Sequence, residues 1–292
     1  MIPKNKSNLC PICQSICKKY SSTNFPLFRC TNCTLIFQNP VASSKPNKQQ
    51  YKSSNYFTFW GDKQNRADIH LIKKSTAKIL LNELCKVKEF HAKNKLLDVG
   101  IATGALLEEA KSFGFQTYGI EPNSEFAKIA KQNSGARIYV SFFENTALLK
   151  DFFSAVVFFD SLEHMQKLKE IIRKTFSILK KNGIMAVSTP DTNSLSFKIL
   201  GPFWPHFKSE HLYYFNSKSL QYLLTDAGFK IILFKPSLKS LSFGYLKSYF
   251  ETFKIPLLSF LAKIFFLFLP QAFCNITITI PSGNLLLFAK KE

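Results

Sequence analysis

The sequence predicts an α/β chain: a parallel sheet covered by helices on both faces, preceded by a small metal-organised ribbon. Three observations carry this. From about residue 67 onward short apolar runs alternate with amphipathic segments, as expected of strands buried on both faces and the helices that cover them. Two C-x-x-C pairs, "CPIC" and "CTNC", lie close together near the start. The 292 residues, 46% of them apolar, suffice for one large domain and a small appendage.

The ribbon comes first, over 1–45. Cys10 and Cys13 are separated from Cys30 and Cys33 by sixteen residues. Each pair can turn two thiolates toward one point, and two pairs complete a tetrahedral zinc site. A disulfide is disfavoured in a reducing cytoplasm, and a redox C-x-x-C should occur once, at a helix start. Cys17 is an alternative ligand at a poorer spacing. With all four ligands drawn from protein the site is closed and structural, and in so short a segment the metal supplies much of the folding free energy. Residues 46–92 follow as a linker and N-terminal helix, the helical run covering about 67–90.

The large domain spans 93–292. Its elements read in order as strand "KLLDVG", helix "ALLEEAKSFG", strand "TYGIEP", helix "SEFAKIAKQN" and strand "RIYVS". A short helix near "NTALLKDF", strand "SAVVFFD", helix "KLKEIIRKTFSILKKNG" and strand "IMAVSTP" come next. Helix "SKSLQYLLTDAG" precedes strands "FKIILFK" and "NLLLFAKK". Ligands of such sheets bind beyond the C-terminal strand ends.

The first strand runs into a small-residue loop bracketed by Gly100 and Gly104, with Ala102 where nucleotide-binding loops often carry a third glycine. Both a dinucleotide and S-adenosylmethionine fit a strand followed by such a turn, and Glu121 could accept ribose hydroxyls from either. Asp98 separates them. A carboxylate there would repel a pyrophosphate, whereas a sulfonium and an ammonium favour it.

At this point the chain resembles the class I S-adenosylmethionine-dependent methyltransferases, and in particular the bacterial group with a zinc-ribbon-like N-terminus. "LLDVGIATG", "GIEP", "FFDSLEHM", "GIMAVSTPD" and "HLYYFNSKSLQYLLTDAGF" match the family's motifs in order, and "FRCTNCTLIFQNP" matches the entry from the ribbon. The resemblance implies a Rossmann-like sheet. It implies that Asp98, Gly100 and Gly104 line the methionine and ribose of the cofactor and that Glu121 binds the ribose. Phe142 or Phe143 would lie near the adenine, and Asp160 at the mouth of the fourth strand. Ser154 departs from the family, which usually has an acidic residue there. It further implies a small-molecule acceptor, a sugar or polysaccharide precursor first; a lipid-linked acceptor is a separate expectation that rests on the apolar stretch 255–269.

Methyl transfer needs an aligned nucleophile and, for a hydroxyl or acidic carbon, a base. His164 in "SLEHM", beside Glu163, is the first candidate and His211 the second. A loop-ordering role for His164 is equally consistent with its position. "GPFWPHFKSEHLYYF" reads as a substrate-facing lid, with Trp204 and His206 able to stack on a ring or to pack the lid itself.

Residues 255–269 form an apolar stretch of roughly 22 Å as a helix, short of the roughly 30 Å of a bilayer core. Peripheral contact with an anionic membrane and burial against the chain or a second subunit are its two readings. The formal charge of +20 includes only four arginines among 39 basic residues. This argues against nucleic acid as a partner, since arginine is favoured for phosphate and base recognition. The rival functions are an RNA methyltransferase using the ribbon and a non-catalytic scaffold of the same fold. The N-terminus lacks the apolar run of a secretory signal, so the expected default compartment is the cytoplasm, with membrane-peripheral contact through 255–269 as its variant.

Overall fold

The computed structural model describes residues 9–20, 26–38, 65–252, 263–266, 273 and 276–292. The large sheet is built from Lys95–Val99 (β4), Gln116–Ile120 (β5), Arg137–Tyr139 (β6), Phe153–Phe159 (β7), Leu179–Pro190 (β8), Phe229–Ser242 (β10) and Thr277–Lys291 (β11). Their order is β10-β11-β8-β7-β4-β5-β6. Strands β4 to β8 pair parallel, and β11 runs antiparallel between β8 and β10. From β4 the chain moves outward to β5 and β6, then returns to β7 on the other side of β4. That reversal opens a crevice at the C-terminal ends of β4 and β7.

The strand period of two explains why the central runs are apolar throughout. Leu96, Ala155, Ile184 and Phe288 face one core, shared with Leu81 and Leu84 of the helix Asn65–Val87 (α1) and Leu107 of Ala105–Ser112 (α2). Their neighbours Leu97, Val156, Met185 and Leu287 face the other, shared with Ile172 of Leu168–Ile178 (α4) and Leu223 of Ser217–Thr225 (α6). Between β5 and β6, Ser124–Ser134 (α3) starts on Asn123, whose side chain accepts from the amides of Glu125 and Phe126.

The ribbon strands Cys17–Tyr20 (β1), Leu27–Cys30 (β2) and Ile36–Gln38 (β3) form a second sheet. Its fourth strand, Tyr213–Tyr214 (β9), comes from the large domain, after the helix Leu195–Leu200 (α5). Cys10, Cys33, Leu35 and Phe37 belong to the same continuous core as Val156 and Leu223. The ribbon therefore packs into the large domain instead of hanging from it.

Three expectations about elements change. No helix forms near 145–152: a 3-10 turn, Phe143–Asn145, is followed by an irregular segment. The Lys174 ammonium takes the carbonyls of Phe143, Glu144 and Thr146, which supplies the partners a helix would otherwise provide. Helix α4 ends at Ile178 and the following residues already pair as β8, with Asn182 turning at φ +61°. Strands β10 and β11 run well past the predicted ends as an antiparallel pair that reaches the crevice. Most of the 255–269 stretch lies outside the described residues. Within it 263–266 is helical, and Ile264 and Phe265 are exposed. Among the described residues no helix is long and apolar enough to cross a membrane.

Candidate active site

A cavity of about 720 Å³ fills the crevice, bordered by Asp98, Gly100, Ala102 and Glu121 at one end and by His164, His206, His211 and Lys239 at the other. The first group forms a tight backbone turn. Gly100 has φ +86°, and a Cβ there would lie 2.7 Å from Cβ of Ser161. Ala102 also adopts a left-handed conformation, φ +46°, so the methyl that looks harmless in sequence sits where a side chain is strained. Its amide donates to Glu121 Oε2 at 3.1 Å, and the amide of Asn123 donates to Oε1 at 2.9 Å. Those two bonds fix the carboxylate and leave its outer lone pairs for a ligand. Gly104, φ +78°, starts α2, and a Cβ there would come within 2.8 Å of Ala130. It stands outside the cavity lining; its freedom lets α2 approach α3.

Asp98 and Glu121 are both buried, at 4% and 2% exposure. Burial pushes Asp98 up to about 7, the Glu121 charge adds to this, and Lys73 opposes it. Burial likewise raises Glu121 to about 7 against its two backbone donors. Two neighbouring carboxylates that lack a full complement of positive charge suit a cationic ligand and not a pyrophosphate. The residues thus fit S-adenosylmethionine, whose ammonium and sulfonium would supply that charge. Phe142 and Phe143 both border the cavity, Phe142 half-buried and Phe143 2% exposed and packed edge-on against Phe158.

At the other end Asp160 accepts from Asn284 Nδ2 at 2.6 Å and from Lys239 Nζ at 2.5 Å; burial raises its pKa, but the charges of Lys239 and Lys73 outweigh that and lower it below the ordinary carboxylate value. Glu163 is 1% exposed, takes a hydrogen bond from Thr189 Oγ1 at 3.0 Å and is pushed by burial to about 8. His164 Nδ1 lies 2.9 Å from the Glu210 carbonyl, which can only accept, so Nδ1 carries the proton and Nε2 is left basic. Burial lowers the pKa of both His164 and His211. Their rings meet edge-on at 4.7 Å, and Nδ1 of His211 is buried with no hydrogen-bond partner among the described residues. Glu163, His164 and His211 each offer an atom within 4.8 Å of the others, close enough to pass a proton or to share a cation. Trp204 is 1% exposed with its indole donating to Ser196 Oγ at 3.2 Å, so it packs the lid and does not face a ligand.

Lys73, Lys208, Lys239 and Tyr245 also border the cavity and were not assigned to the site from sequence. Nothing marks Lys73 among the other lysines. Lys239 reaches the cavity only because β10 continues beyond its apolar run.

In the ribbon, Sγ of Cys10 and Cys33 are 3.5 Å apart and those of Cys13 and Cys30 are 3.4 Å apart. All four lie within 4.8 Å of one another. The amides of Asn32 and Cys33 both point at Cys30 Sγ, at 3.4 Å. Backbone donors of this kind stabilise a thiolate. A hydrogen bond from Cys33 also draws the Cys10 thiol down to about 5. The donor set fits a tetrahedral zinc ion. Cys17 stands apart, its thiol directed at the Ser15 carbonyl at 3.6 Å and pushed by burial to about 12.

A family model described as "Methyltransferase domain" matches residues 64–233. A ubiquinone biosynthesis O-methyltransferase from Bradyrhizobium sp. (strain ORS 278) is 24% identical over 154 residues, 49% of this chain and 60% of that protein. The mitochondrial one from Rattus norvegicus is 28% identical over 49% of this chain and 46% of its own length. The chain therefore spans only about half to two thirds of these relatives. Among solved structures, a chain from the complex of the Haloferax volcanii Trm112 methyltransferase activator with a methyltransferase superposes with TM-score 0.57, at 12% identity, over 85% of this chain and 99% of that one. A SAM-dependent methyltransferase from Thermotoga maritima gives 0.52 at 16% identity, covering 82% and 100%. The [4+2]-cyclase SpnF gives 0.51 at 20% identity, covering 73% and 80%, so the fold alone does not fix the reaction. The match to the family model, over more than half of the sequence, does fix the family: this chain belongs to the methyltransferase domain family, with a Rossmann-like fold.

Proposed function

We propose that the chain transfers the methyl group of S-adenosylmethionine to a hydroxyl of a small molecule, and that its ribbon holds one structural zinc ion. The observation that carries the first part is the pair of buried carboxylates at the ends of β4 and β5, each short of positive charge. Held by Asp98 and Glu121, S-adenosylmethionine would supply a methyl group activated by its sulfonium, and Nε2 of His164 would take the proton of the acceptor hydroxyl as the oxygen gains the methyl and the sulfonium leaves as a thioether. The O-methyltransferase names of the relatives support an oxygen nucleophile. Asp160, His206, Lys208 and Lys239 make the acceptor end polar. That polarity supports a hydroxyl-rich substrate, a sugar or polysaccharide precursor first.

The test is production of S-adenosylhomocysteine by the purified chain against a panel of sugar nucleotides and dihydroxybenzoates. Turnover of a sugar nucleotide supports the reading, and turnover confined to the aromatic diols would replace the sugar with a ring hydroxyl. Loss of turnover on chelation, with the ribbon cysteines still holding zinc and magnesium restoring the rate, would assign Glu163, His164 and His211 to a cation. Tight, salt-dependent RNA binding with no small-molecule turnover would favour the RNA alternative.

A further inference from the structure

The ribbon reaches the acceptor end of the cavity through one strand and one side chain. Strand β3 pairs antiparallel with β9, Ile36 opposite Tyr214 and Phe37 opposite Tyr213. The amide of Gln38 then donates to the Leu212 carbonyl at 3.0 Å. Its side-chain Nε2 donates to the carbonyls of Ser209 and His211 at 2.9 and 2.8 Å, with Lys208 O farther off at 3.4 Å. Both hydrogens of that amide are thereby spent on one short loop. From the other side Asn216 Nδ2 reaches Thr34 Oγ1 at 2.9 Å, in the ribbon just after Cys33. The clamped loop carries Lys208 and His211 to the cavity, its Glu210 carbonyl sets the tautomer of His164, and the Leu212 amide donates to the Glu163 carbonyl at 2.9 Å. The cofactor end, Asp98 to Glu121, is built on β4 and β5, which share the apolar core of the ribbon through Leu97, Val99, Tyr118 and Ile120 but pair with neither β3 nor β9.

We infer that the metal-folded ribbon is the back wall of the acceptor site, with Gln38 as the positioning residue that fixes the 208–211 loop. Metal binding at the four cysteines then sets the acceptor end of the cavity while leaving the cofactor end alone. This rests on the methyltransferase and zinc readings above. A free-standing recognition module would keep its own strands paired among themselves; here the sheet is completed by the lid.

Gln38→Met keeps the side-chain length and removes both donors. In the full-length zinc-loaded chain it should speed hydrogen exchange at the amides of 206–214 by at least about tenfold. Diethylpyrocarbonate modification of His211, which is 6% exposed in the parent, should accelerate likewise. The melting temperature, exchange within β4 to β6 and affinity for S-adenosylhomocysteine should stay at parent values. Stripping zinc from the parent chain should reproduce the local acceleration, and adding it back should reverse it. Parent-like exchange and modification in Gln38→Met would overturn the inference. So would acceleration that spreads through β4 to β6 with loss of S-adenosylhomocysteine binding, because the ribbon would then be a general stabiliser. If the parent itself fails to bind S-adenosylhomocysteine, the methyltransferase reading falls, while the exchange and modification data still decide the role of Gln38.

Discussion

Ala102 holds a left-handed backbone, φ +46°, because its amide must turn toward the Glu121 carboxylate. Ala102→Gly should relieve that strain and, after the entropy cost of glycine, raise stability by about 0.5–1 kcal/mol in a denaturant titration. A loss of stability would show that the turn is not strained. Gly104→Ala should cost more than about 2 kcal/mol, since the new Cβ meets Ala130 at 2.8 Å on a φ of +78°. His164→Ala should lower turnover on the order of 10²–10⁴-fold with the affinity for S-adenosylhomocysteine unchanged. Burial lowers the pKa of His164, so the protonated, inactive form should appear only below the ordinary value of about 6.5. With S-adenosylmethionine held saturating at each pH, the parent rate should therefore be flat through neutral pH and fall on the acid side. An equal fall in cofactor affinity would make His164 an organiser of the loop. At this scale Asp98 and Glu121 were legible because strand and turn motifs announce strand ends. Lys73 and Lys239 were not, because a lysine's role is set by which strand extension or helix face reaches the crevice.

Among the elements the two cysteine pairs were the clearest signal, since metal geometry constrains spacing more tightly than any core does. Metal analysis of protein purified without chelator should find about one zinc per chain. Cys30→Ala should lose the ion, and Cys17→Ala should keep it, because the Cys17 thiol points at the Ser15 carbonyl outside the cluster. Retention of zinc by Cys30→Ala together with its loss in Cys17→Ala would exchange the two assignments. The alternation of strand and helix was equally readable. The missing helix after Phe143 was not, because its amphipathic pattern is overridden by Lys174 taking three consecutive-turn carbonyls from another element. Nor could the sequence show that Tyr213–Tyr214 completes the ribbon sheet, since strand partners 170 or more residues apart leave no local trace.

For the molecule as a whole, the ordered motifs announced a parallel sheet with ligands beyond its C-terminal strand ends, and the charge excess announced little; the reversal between β4 and β7 and the antiparallel course of β11 are legible only in the structure. The account depends on the crevice at that reversal being built for a cation. Asp98 and Glu121 are each raised to about 7, so most of each is protonated at pH 6 and most of each is ionised at pH 8. A group whose folded pKa is raised favours its protonated form in the empty protein; a bound cation favours the ionised form, and binding must expel the proton. The measurement that tests this most directly is a calorimetric titration of S-adenosylmethionine, and separately of NAD, into the purified chain at pH 6 and pH 8. The account predicts that S-adenosylmethionine binds at both, more tightly at pH 8 and with proton release near pH 7, and that NAD gives no binding heat. Binding of NAD with none of S-adenosylmethionine would contradict it, as would an S-adenosylmethionine affinity that does not change between the two pH values.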